Sequence, residues 1–158
     1  MEQLEEGELY KQFIAYVETS VKYLKSKNYD VKIEGMCWMQ GESDSFMVES
    51  SSQYGEHLNN FITDIRKRLS KYAASDGIAF IDAYIAENPA YWVYYEAVNQ
   101  GKRETAQLSP LNDVVDTVSA GLTCSYEPEA NPDIPHYDSL SQIKLGHLFA
   151  EHLSPFLN

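Results

Sequence analysis

The stretch GMCWMQGESDSF, residues 35–46, passes from apolar residues directly into a polar and acidic segment. The apolar part is typical of a buried β-strand, and we predict a strand over residues 31–39. A strand end with only a structural role usually continues into a turn of Gly, Asn or Asp. This strand continues instead into Gln40, Glu42 and Asp44. The end of the strand is therefore a candidate functional site.

Helices and strands alternate on both sides of this stretch. Apolar residues at spacings of three and four predict helices, and short continuous apolar runs predict strands. The predicted helices cover residues 6–27, 52–73, 90–107 and 139–153, and the predicted strands cover residues 31–39, 78–85 and 114–118. This order predicts an α/β fold in which right-handed helical crossovers connect parallel strands. In such open sheets the functional site lies at the carboxyl ends of the strands.

Several local features of the predicted helices lead to specific predictions about caps and exposed side chains. Ser51 or Ser52 is expected to cap the second helix, and Ser139 with Gln142 has the spacing of a capping box for the last helix. The basic run at residues 66–68 is expected on a solvated helix face. The histidines expected at the surface or at the rim of the site are His57, His147 and His152.

Composition and charge narrow the possible classes of function. The 158 residues suit one domain, and 12 basic against 24 acidic residues give a net charge of −12. This charge argues against binding to nucleic acid or to an anionic membrane surface. Two cysteines do not make a disulfide framework. Cys37 lies inside an apolar run and is expected to be a small core residue.

A second candidate site lies in NPDIPHYDS, residues 131–139. Asp133 can bond one imidazole nitrogen of His136, which fixes the tautomer and leaves the other nitrogen free as a base. Pro132 and Pro135 reduce the freedom of this loop, which suits a preorganised site. The spacing alone is equally compatible with a capping loop whose histidine is solvated.

The residues at the end of the first strand each admit two interpretations. Gln40 is either an amide donor for a developing oxyanion or a buried side chain that pairs with the backbone. Glu42 and Asp44 are either a carboxylate pair for glycoside or metal chemistry or anchors of their own loop. No second cluster has metal-ligand spacing, so no metal site is predicted. Trp38 and the aromatic residues at 91–95 are either a sugar-stacking platform or part of the core.

Two sequence blocks together resemble a known family. WMQGESD at 38–44, followed much later by DIPHYD at 133–138 and a helix, resembles the sialate O-acetylesterase domain, carbohydrate esterase family 6 of the SGNH/GDSL hydrolase superfamily. Members typically have a W-x-Q-G-E-x-D block and a late D-x-x-H-[FY] block. VNQGKRETAQLSPLNDVVDT at 98–117 is similar to the segment between these blocks. The likeness thus runs through most of the chain.

The resemblance implies a three-layer α/β/α sandwich with a flavodoxin-like parallel sheet. It also implies that acetyl esters on carbohydrates are hydrolysed through an acyl-serine, without a metal or another cofactor. His136 matches the general base of the family, and Asp133 matches the residue that orients it. Gln40 matches the side-chain donor of the oxyanion hole. Gly41 belongs to the same oxyanion hole, and the residues that shape the cleft are Trp38, Glu42 and Asp44.

The chain departs from the family pattern at the nucleophile. The family carries its serine in an early G-Q-S-N-type block at the end of the first strand, and these 158 residues contain no such block. Ser43 is a poor substitute, because G-E-S-D is not the strand–elbow–helix arrangement of G-x-S-x-G. Cys37 is a poorer one, because it lies in an apolar strand. We therefore expect residues 1–158 to be the C-terminal part of one esterase domain, lacking its first strands and inactive or nearly so alone.

The expected truncation also affects partners. In the family the first strand lies beside the strand at 31–39, so the edge of that strand is expected to be open and to promote self-association. The expected substrate is an acetylated carbohydrate. The alternative function is a non-catalytic carbohydrate-binding or interaction module that has kept the cleft and lost the chemistry. The resemblance suggests secretion or the periplasm, and the residues themselves leave the compartment open.

Overall fold

The structure is a computed structural model that describes residues 7–157, so residue 6, the predicted start of the first helix, lies outside the described residues. The described helices are α1 (Glu8–Ser26), α2 (Val48–Leu69), α3 (Tyr95–Ala106) and α4 (Ser139–Leu153). The strands are β1 (Gly35–Trp38), β2 (Ala79–Ala83) and β3 (Asn112–Val115). Short 3₁₀ turns cover Asp44–Phe46, Ser70–Tyr72 and Ser154–Phe156. None of the helices within residues 7–157 has the length and apolar character needed to cross a membrane.

The three strands form one parallel sheet in the order β1-β2-β3, with helices on both faces. At the β1–β2 border, Gly35 pairs with Ala79. Phe61 of α2 meets Phe80 of β2 edge to face, with 6.3 Å between the ring centroids, so α2 covers one face. Leu153 of α4 covers the other face, where a Cβ atom on Gly35 would lie 2.5 Å from the leucine Cδ1. The predicted α/β/α architecture with a parallel sheet is confirmed.

The central strand β2 is the most buried of the three strands. All five of its residues are buried, and Ile81 and Ala83 have no exposed surface. A strand with helices on both faces and neighbours on both sides is typically a continuous apolar run, and residues 78–85 fit this pattern except for Asp82. The buried helical side chains packed around it include Leu58, Ile62, Val98 and Leu145. A second cluster joins α1 to the last turns of α2 through Val21, Ile65 and Leu69.

The second helix begins earlier than predicted. α2 starts at Val48, and Met47 occupies the N-cap position without a side-chain hydrogen bond. Capping by Ser51 or Ser52 is therefore wrong. The Ser51 hydroxyl instead donates to the Val48 carbonyl oxygen within the first turn, at 3.1 Å.

The last helix has the predicted bounds and a different cap. Asp138 is its N-cap, and the carboxylate Oδ1 accepts a hydrogen bond from the Ser141 backbone N–H at 2.7 Å. The predicted capping box of Ser139 and Gln142 is wrong. The Ser139 hydroxyl donates to the Glu127 carboxylate at 3.1 Å instead. Aspartate and serine are both strong N-caps, so the sequence alone does not decide between Asp138 and Ser139.

The remaining differences lie at the ends of elements. β1 has four residues, fewer than the predicted range 31–39, and β3 begins two residues before the predicted 114–118. α3 begins at Tyr95, because residues 89–94 form turns. Element ends depend on local hydrogen bonds that apolar periodicity does not report.

Arg66 does not lie on a solvated helix face as predicted. Its Nε donates to the Ile78 carbonyl oxygen at 2.9 Å. Its Nη2 donates to the Leu111 carbonyl oxygen at 3.0 Å and to Asn112 Oδ1 at 2.7 Å. The guanidinium has several fixed donors, so one half-buried side chain satisfies carbonyl groups at the amino ends of two strands.

Cys37 is exposed, so its prediction as a small core residue is wrong. It pairs with Ile81 in the sheet, yet β1 pairs with β2 alone among the described strands. The other edge of β1 therefore presents backbone groups without a strand partner in residues 7–157. An apolar run at a sheet edge has the same composition as one at the centre, and only the strand order distinguishes them.

Candidate active site

The polar segments that follow the strands contact one another at the carboxyl edge of the sheet. These segments cover residues 39–47, 84–94 and 116–138. The Tyr94 N–H donates to the Ser45 carbonyl oxygen at 2.8 Å, which joins the first segment to the second. Trp92 Nε1 donates to the Pro135 carbonyl oxygen at 3.1 Å, which joins the second to the third. Both candidate sites predicted from the sequence thus lie at one edge, as the parallel topology requires.

Gln40 is held in one orientation by two neighbours. Its Nε2 donates to Asp44 Oδ2 at 2.7 Å. The Tyr54 hydroxyl lies 2.8 Å from the Gln40 carbonyl oxygen and 3.3 Å from its Oε1, and it can donate to either. Burial raises the pKa of Tyr54, so its hydroxyl stays protonated and available as a donor. A primary amide carries two N–H groups, so the second Nε2 hydrogen remains available to a ligand.

Gly41 lets the chain turn sharply after Gln40. Its φ of 134° lies in a region that favours glycine. A Cβ atom at this position would lie 2.6 Å from Val98 Cγ1. Both the backbone conformation and the close approach of α3 therefore require a glycine here.

The carboxylate-bearing residues after Gly41 lie in a loop closed by serine hydroxyls. The buried Ser45 donates to the Glu42 carbonyl oxygen at 2.6 Å, and Ser50 donates to the Asp44 carbonyl oxygen at 2.7 Å. The Asp44 carboxylate bonds Gln40, as described above. Glu42 and Asp44 thus belong to one hydrogen-bonded turn, and Asp44 anchors Gln40.

A buried ion pair lies beneath this loop. Lys102 Nζ and Asp82 Oδ1 are 2.7 Å apart, and the two residues are only 1% and 3% exposed. The ammonium also lies 5.2 Å from the centroid of the Tyr54 ring, the residue that bonds Gln40. Burial raises the pKa of Asp82 to about 6, although the Lys102 charge and hydrogen bond oppose the shift. Burial lowers the pKa of Lys102.

His136 and Asp133 form a hydrogen-bonded pair in the third segment. Nδ1 of the imidazole and Oδ1 of the carboxylate are 2.7 Å apart, and both side chains are more than half exposed. The Ser125 N–H donates to the His136 carbonyl oxygen at 2.7 Å, which fixes the backbone of the loop. With Nδ1 engaged by a carboxylate, Nε2 is the nitrogen left for chemistry.

Two cavities adjoin these residues. One of about 410 Å³ is lined by the loops after β2 and β3, including Glu87 and Asn88, and by Ile134 and Tyr137 on either side of His136. Its volume falls in the range of small-molecule sites. A smaller cavity of about 200 Å³ lies beside Gln40. No group of three His, Cys, Asp or Glu residues within residues 7–157 is placed to hold a metal ion.

His147 and His152 lie apart from this chemistry, whereas Trp38 and His57 line the smaller cavity beside Gln40 and Trp92 contacts the His136 ring. Ser43 is exposed, and no hydrogen bond joins it to His136 in the described part of the chain. His57 and His147 are exposed, and His152 bonds Asp113 at 2.8 Å. The aromatic residues divide between the two interpretations: Trp38 and Trp92 pack with other rings, whereas Tyr91 and Tyr94 are exposed.

Sequence reasoning missed the residues that support the site from below. Tyr54 and Lys102 lie on helices and were not candidates, and Asp82 lies inside a strand. One signal was present: Val98, Lys102 and Thr105 have the spacing of a buried helical stripe, which places a lysine on an apolar face. A lysine in such a stripe needs a buried partner, and Asp82 is that partner.

The chain was compared with known proteins. No curated protein sequence matches it. A structure of a protein from Arabidopsis thaliana has a TM-score of 0.74 at 22% identity, over 96% of this chain and 54% of that one. A structure of NanS has a TM-score of 0.62 at 19% identity, over 79% of this chain and 47% of that one. At these identities the structures show the fold alone, and the chain spans about half the length of each.

A family model also matches the chain. The model for carbohydrate esterases, sialic acid-specific acetylesterases, covers residues 1–154, which is nearly the whole chain. The chain belongs to this carbohydrate esterase family.

Proposed function

We propose that these residues are part of a single esterase domain that hydrolyses acetyl esters on carbohydrates by a serine–histidine–aspartate mechanism. The observation that carries the proposal is the 2.7 Å hydrogen bond between Asp133 Oδ1 and His136 Nδ1 at the carboxyl edge of the sheet. Membership of the acetylesterase family supports the reaction class. The cavity of about 410 Å³, lined in part by Ile134 and Tyr137 of the same loop, supplies space for a sugar.

In the proposed reaction His136 moves protons and Asp133 orients it. Nε2 takes the proton from the serine hydroxyl as the serine oxygen attacks the acetyl carbon. The imidazolium gives that proton to the sugar oxygen as the bond from this oxygen to the acetyl carbon breaks, which releases the sugar hydroxyl and leaves an acetyl-serine. Water then attacks the acetyl-serine with the same help, and acetate leaves. Asp133 stabilises the imidazolium and keeps its Nδ1–H directed at the carboxylate.

Gln40 is the proposed side-chain donor to the oxyanion. Its amide is neutral, so it donates a hydrogen bond without titrating. Asp44 occupies one Nε2 hydrogen and Tyr54 contacts the other side of the amide, which presets its direction before substrate arrives. A donor that needs no reorganisation is the kind that stabilises a transition state most.

The nucleophilic serine is proposed to come from a segment outside these 158 residues. Ser43 is the N-cap residue of the 3₁₀ turn Asp44–Phe46 in the Gln40 loop and makes no hydrogen bond with His136 within residues 7–157. The chain covers only 54% and 47% of the two matched structures, which leaves room for such a segment.

Acetate release tests this proposal. The assay compares the 158-residue chain with a chain extended by the sequence encoded upstream, on an acetylated sialic acid and on p-nitrophenyl acetate. We expect the extended chain to be active and the shorter one to be slower by on the order of 10⁴-fold or more, because an attacking hydroxyl is absent. Equal rates would place the nucleophile within residues 1–158. An inactive extended chain that still binds sugars would favour the non-catalytic alternative.

We also propose that the outer edge of β1 drives self-association of the 158-residue chain. A strand edge with free backbone groups pairs readily with another strand. Two copies related by a twofold axis would pair their β1 strands antiparallel, which brings the exposed Cys37 of each copy close together.

We expect a dimer in analytical ultracentrifugation at high concentration and cross-linking by a short bis-maleimide. The matched control is Cys37→Ser, which should abolish the cross-link and keep the dimer. A monomer at every concentration would contradict the proposal.

A further inference from the structure

The proposed site has two halves, the Gln40 amide and the His136 imidazole, and they lie in segments that are held together by a third element. Gln40 lies after β1, and His136 lies in the loop before α4. In the described part of the chain, no hydrogen bond joins residues 39–47 directly to residues 131–138. The relative position of the two residues therefore depends on what lies between them.

Trp92 lies between the two segments and contacts both. Its ring is 5.6 Å from the ring of Phe46, at the end of the Gln40 loop. The same ring is 6.2 Å from the imidazole of His136, measured between centroids. Its Nε1 donates to the carbonyl oxygen of Pro135, the residue before His136, at 3.1 Å. One side chain thus has an apolar contact with one segment and a directed hydrogen bond to the other.

The backbone around Trp92 is fixed as firmly as its side chain. The Trp92 N–H donates to the Asn88 carbonyl oxygen at 2.7 Å, and the Tyr95 N–H donates to the Trp92 carbonyl oxygen at 3.1 Å. Two positions on, the Tyr94 N–H donates to the Ser45 carbonyl oxygen at 2.8 Å. Trp92 is only 8% exposed. A side chain that is buried, anchored on both sides and bonded through its only polar atom has a single position.

We propose that Trp92 is a positioning residue that sets the distance and angle between the His136 imidazole and the Gln40 amide. The inference rests on the proposed function, since it takes these two residues as base and oxyanion donor. Trp92 itself touches no reacting atom. Its indole N–H donates to the Pro135 carbonyl oxygen, and its ring contacts both the imidazole and the Phe46 ring. Small displacements of a catalytic group change the rate strongly, so such a support governs turnover rather than substrate binding.

The first test is structural and uses the 158-residue chain. Trp92→Phe keeps an aromatic ring and removes the N–H donor. We expect the NMR signals of residues 133–138, including the His136 imidazole, to shift or broaden, while the signals of α2 and α3 stay in place. The matched control is Tyr91→Phe, a neighbouring aromatic residue that is 40% exposed. Unchanged signals from residues 133–138 in a folded Trp92→Phe variant would overturn the inference.

A second variant tests the bridge without changing Trp92. Phe46→Leu, at an exposed position, removes the ring contact on the Gln40 side. If Trp92 couples the segments, the His136 imidazole signals should shift although Phe46 does not bond the His136 loop. Met47→Leu, at the next position, which is also exposed, should leave those signals unchanged. If Trp92→Phe fails to fold, the comparison of Phe46→Leu with Met47→Leu still tests the inference. Identical His136 signals in these two variants would overturn it.

The third test measures turnover in the chain extended by its upstream sequence. We expect Trp92→Phe to lower kcat by about 10- to 100-fold with little change in KM. A merely structural role would lower thermal stability and leave the kcat of the folded fraction unchanged, and that result would overturn the inference. If the proposed function itself is wrong, the result is different: His136→Ala then leaves turnover unchanged, whatever the effect of Trp92→Phe.

Discussion

Replacing His136 with alanine in the extended chain is expected to lower kcat for acetyl-ester hydrolysis on the order of 10⁴- to 10⁶-fold. The imidazole accepts and returns a proton in both half-reactions, and no other base is hydrogen-bonded in the same way within residues 131–138. The rate is measured as acetate released under substrate saturation. Some activity should remain, because the oxyanion donor and the bound substrate still contribute.

The control for this prediction is another histidine of the same chain. His147 is exposed on α4, and His147→Ala should leave kcat unchanged. Asp133→Asn should keep the fold and lower kcat strongly, because an amide in place of the carboxylate no longer selects the Nδ1–H tautomer. A His136→Ala variant with the turnover of the parent chain would refute the mechanism.

Replacing Lys102 with methionine is expected to lower the free energy of unfolding by about 3–5 kcal/mol. The change leaves the Asp82 carboxylate buried without its cation, and Asp82 Oδ2 already has no hydrogen-bond partner among the described residues. Urea denaturation followed by circular dichroism measures the effect. The double variant Lys102→Met with Asp82→Leu should recover most of the loss, since apolar residues can replace a buried ion pair.

An exposed ion pair of nearly the same geometry is the matched control. Lys71 Nζ lies 2.8 Å from Glu18 Oε1 at the surface, and Lys71→Met should change the free energy of unfolding little. A loss in Lys71→Met equal to that in Lys102→Met would contradict the assignment of the effect to burial.

The loss caused by Lys102→Met should depend on pH. Burial raises the folded-state pKa of Asp82 to about 6, above its ordinary value, and removal of the neighbouring cation raises it further. A carboxyl whose pKa is raised by folding destabilises the folded state most above its folded-state pKa, and the penalty shrinks as the pH falls from that value towards the unfolded-state pKa. The difference between parent and variant should therefore be largest near pH 8 and shrink towards pH 6. A difference that grows on acidification would contradict this account.

Much of the fold was predictable because apolar periodicity reports which side of an element faces a core. The alternation of helical and strand patterns predicted the parallel sheet, and α4 has the predicted bounds. What failed depends on partners distant in sequence. Cys37 has a strand-like neighbourhood, and only the strand order makes it an edge residue. Arg66 lies in a basic run, and only the folded chain brings the Ile78 and Leu111 carbonyl groups to its guanidinium.

The sequence predicted the candidate-site residues that lie in two short blocks. It did not predict the residues that support them through tertiary contacts. Gln40, Asp133 and His136 were candidates because amide, carboxylate and imidazole groups follow apolar or proline-braced segments. Their catalytic roles remain predictions. Trp92 was a candidate only for sugar stacking, and the one signal for Lys102 was its place in a buried helical stripe. The contacts of Trp92 with both segments and of Lys102 with Asp82 form only in the folded chain.

The parallel pairing of β2 with both neighbours also determines the order in which the molecule can form. Each crossover contains a helix and separates its strands widely along the chain, so the sheet is built from non-local contacts that close slowly. During synthesis β1 and Gln40 emerge before β2, the strand with which β1 pairs within residues 7–157. His136 emerges near the end. We therefore expect the two halves of the site to meet only in the final stage of folding, so that nascent or prematurely ended chains contain no assembled site.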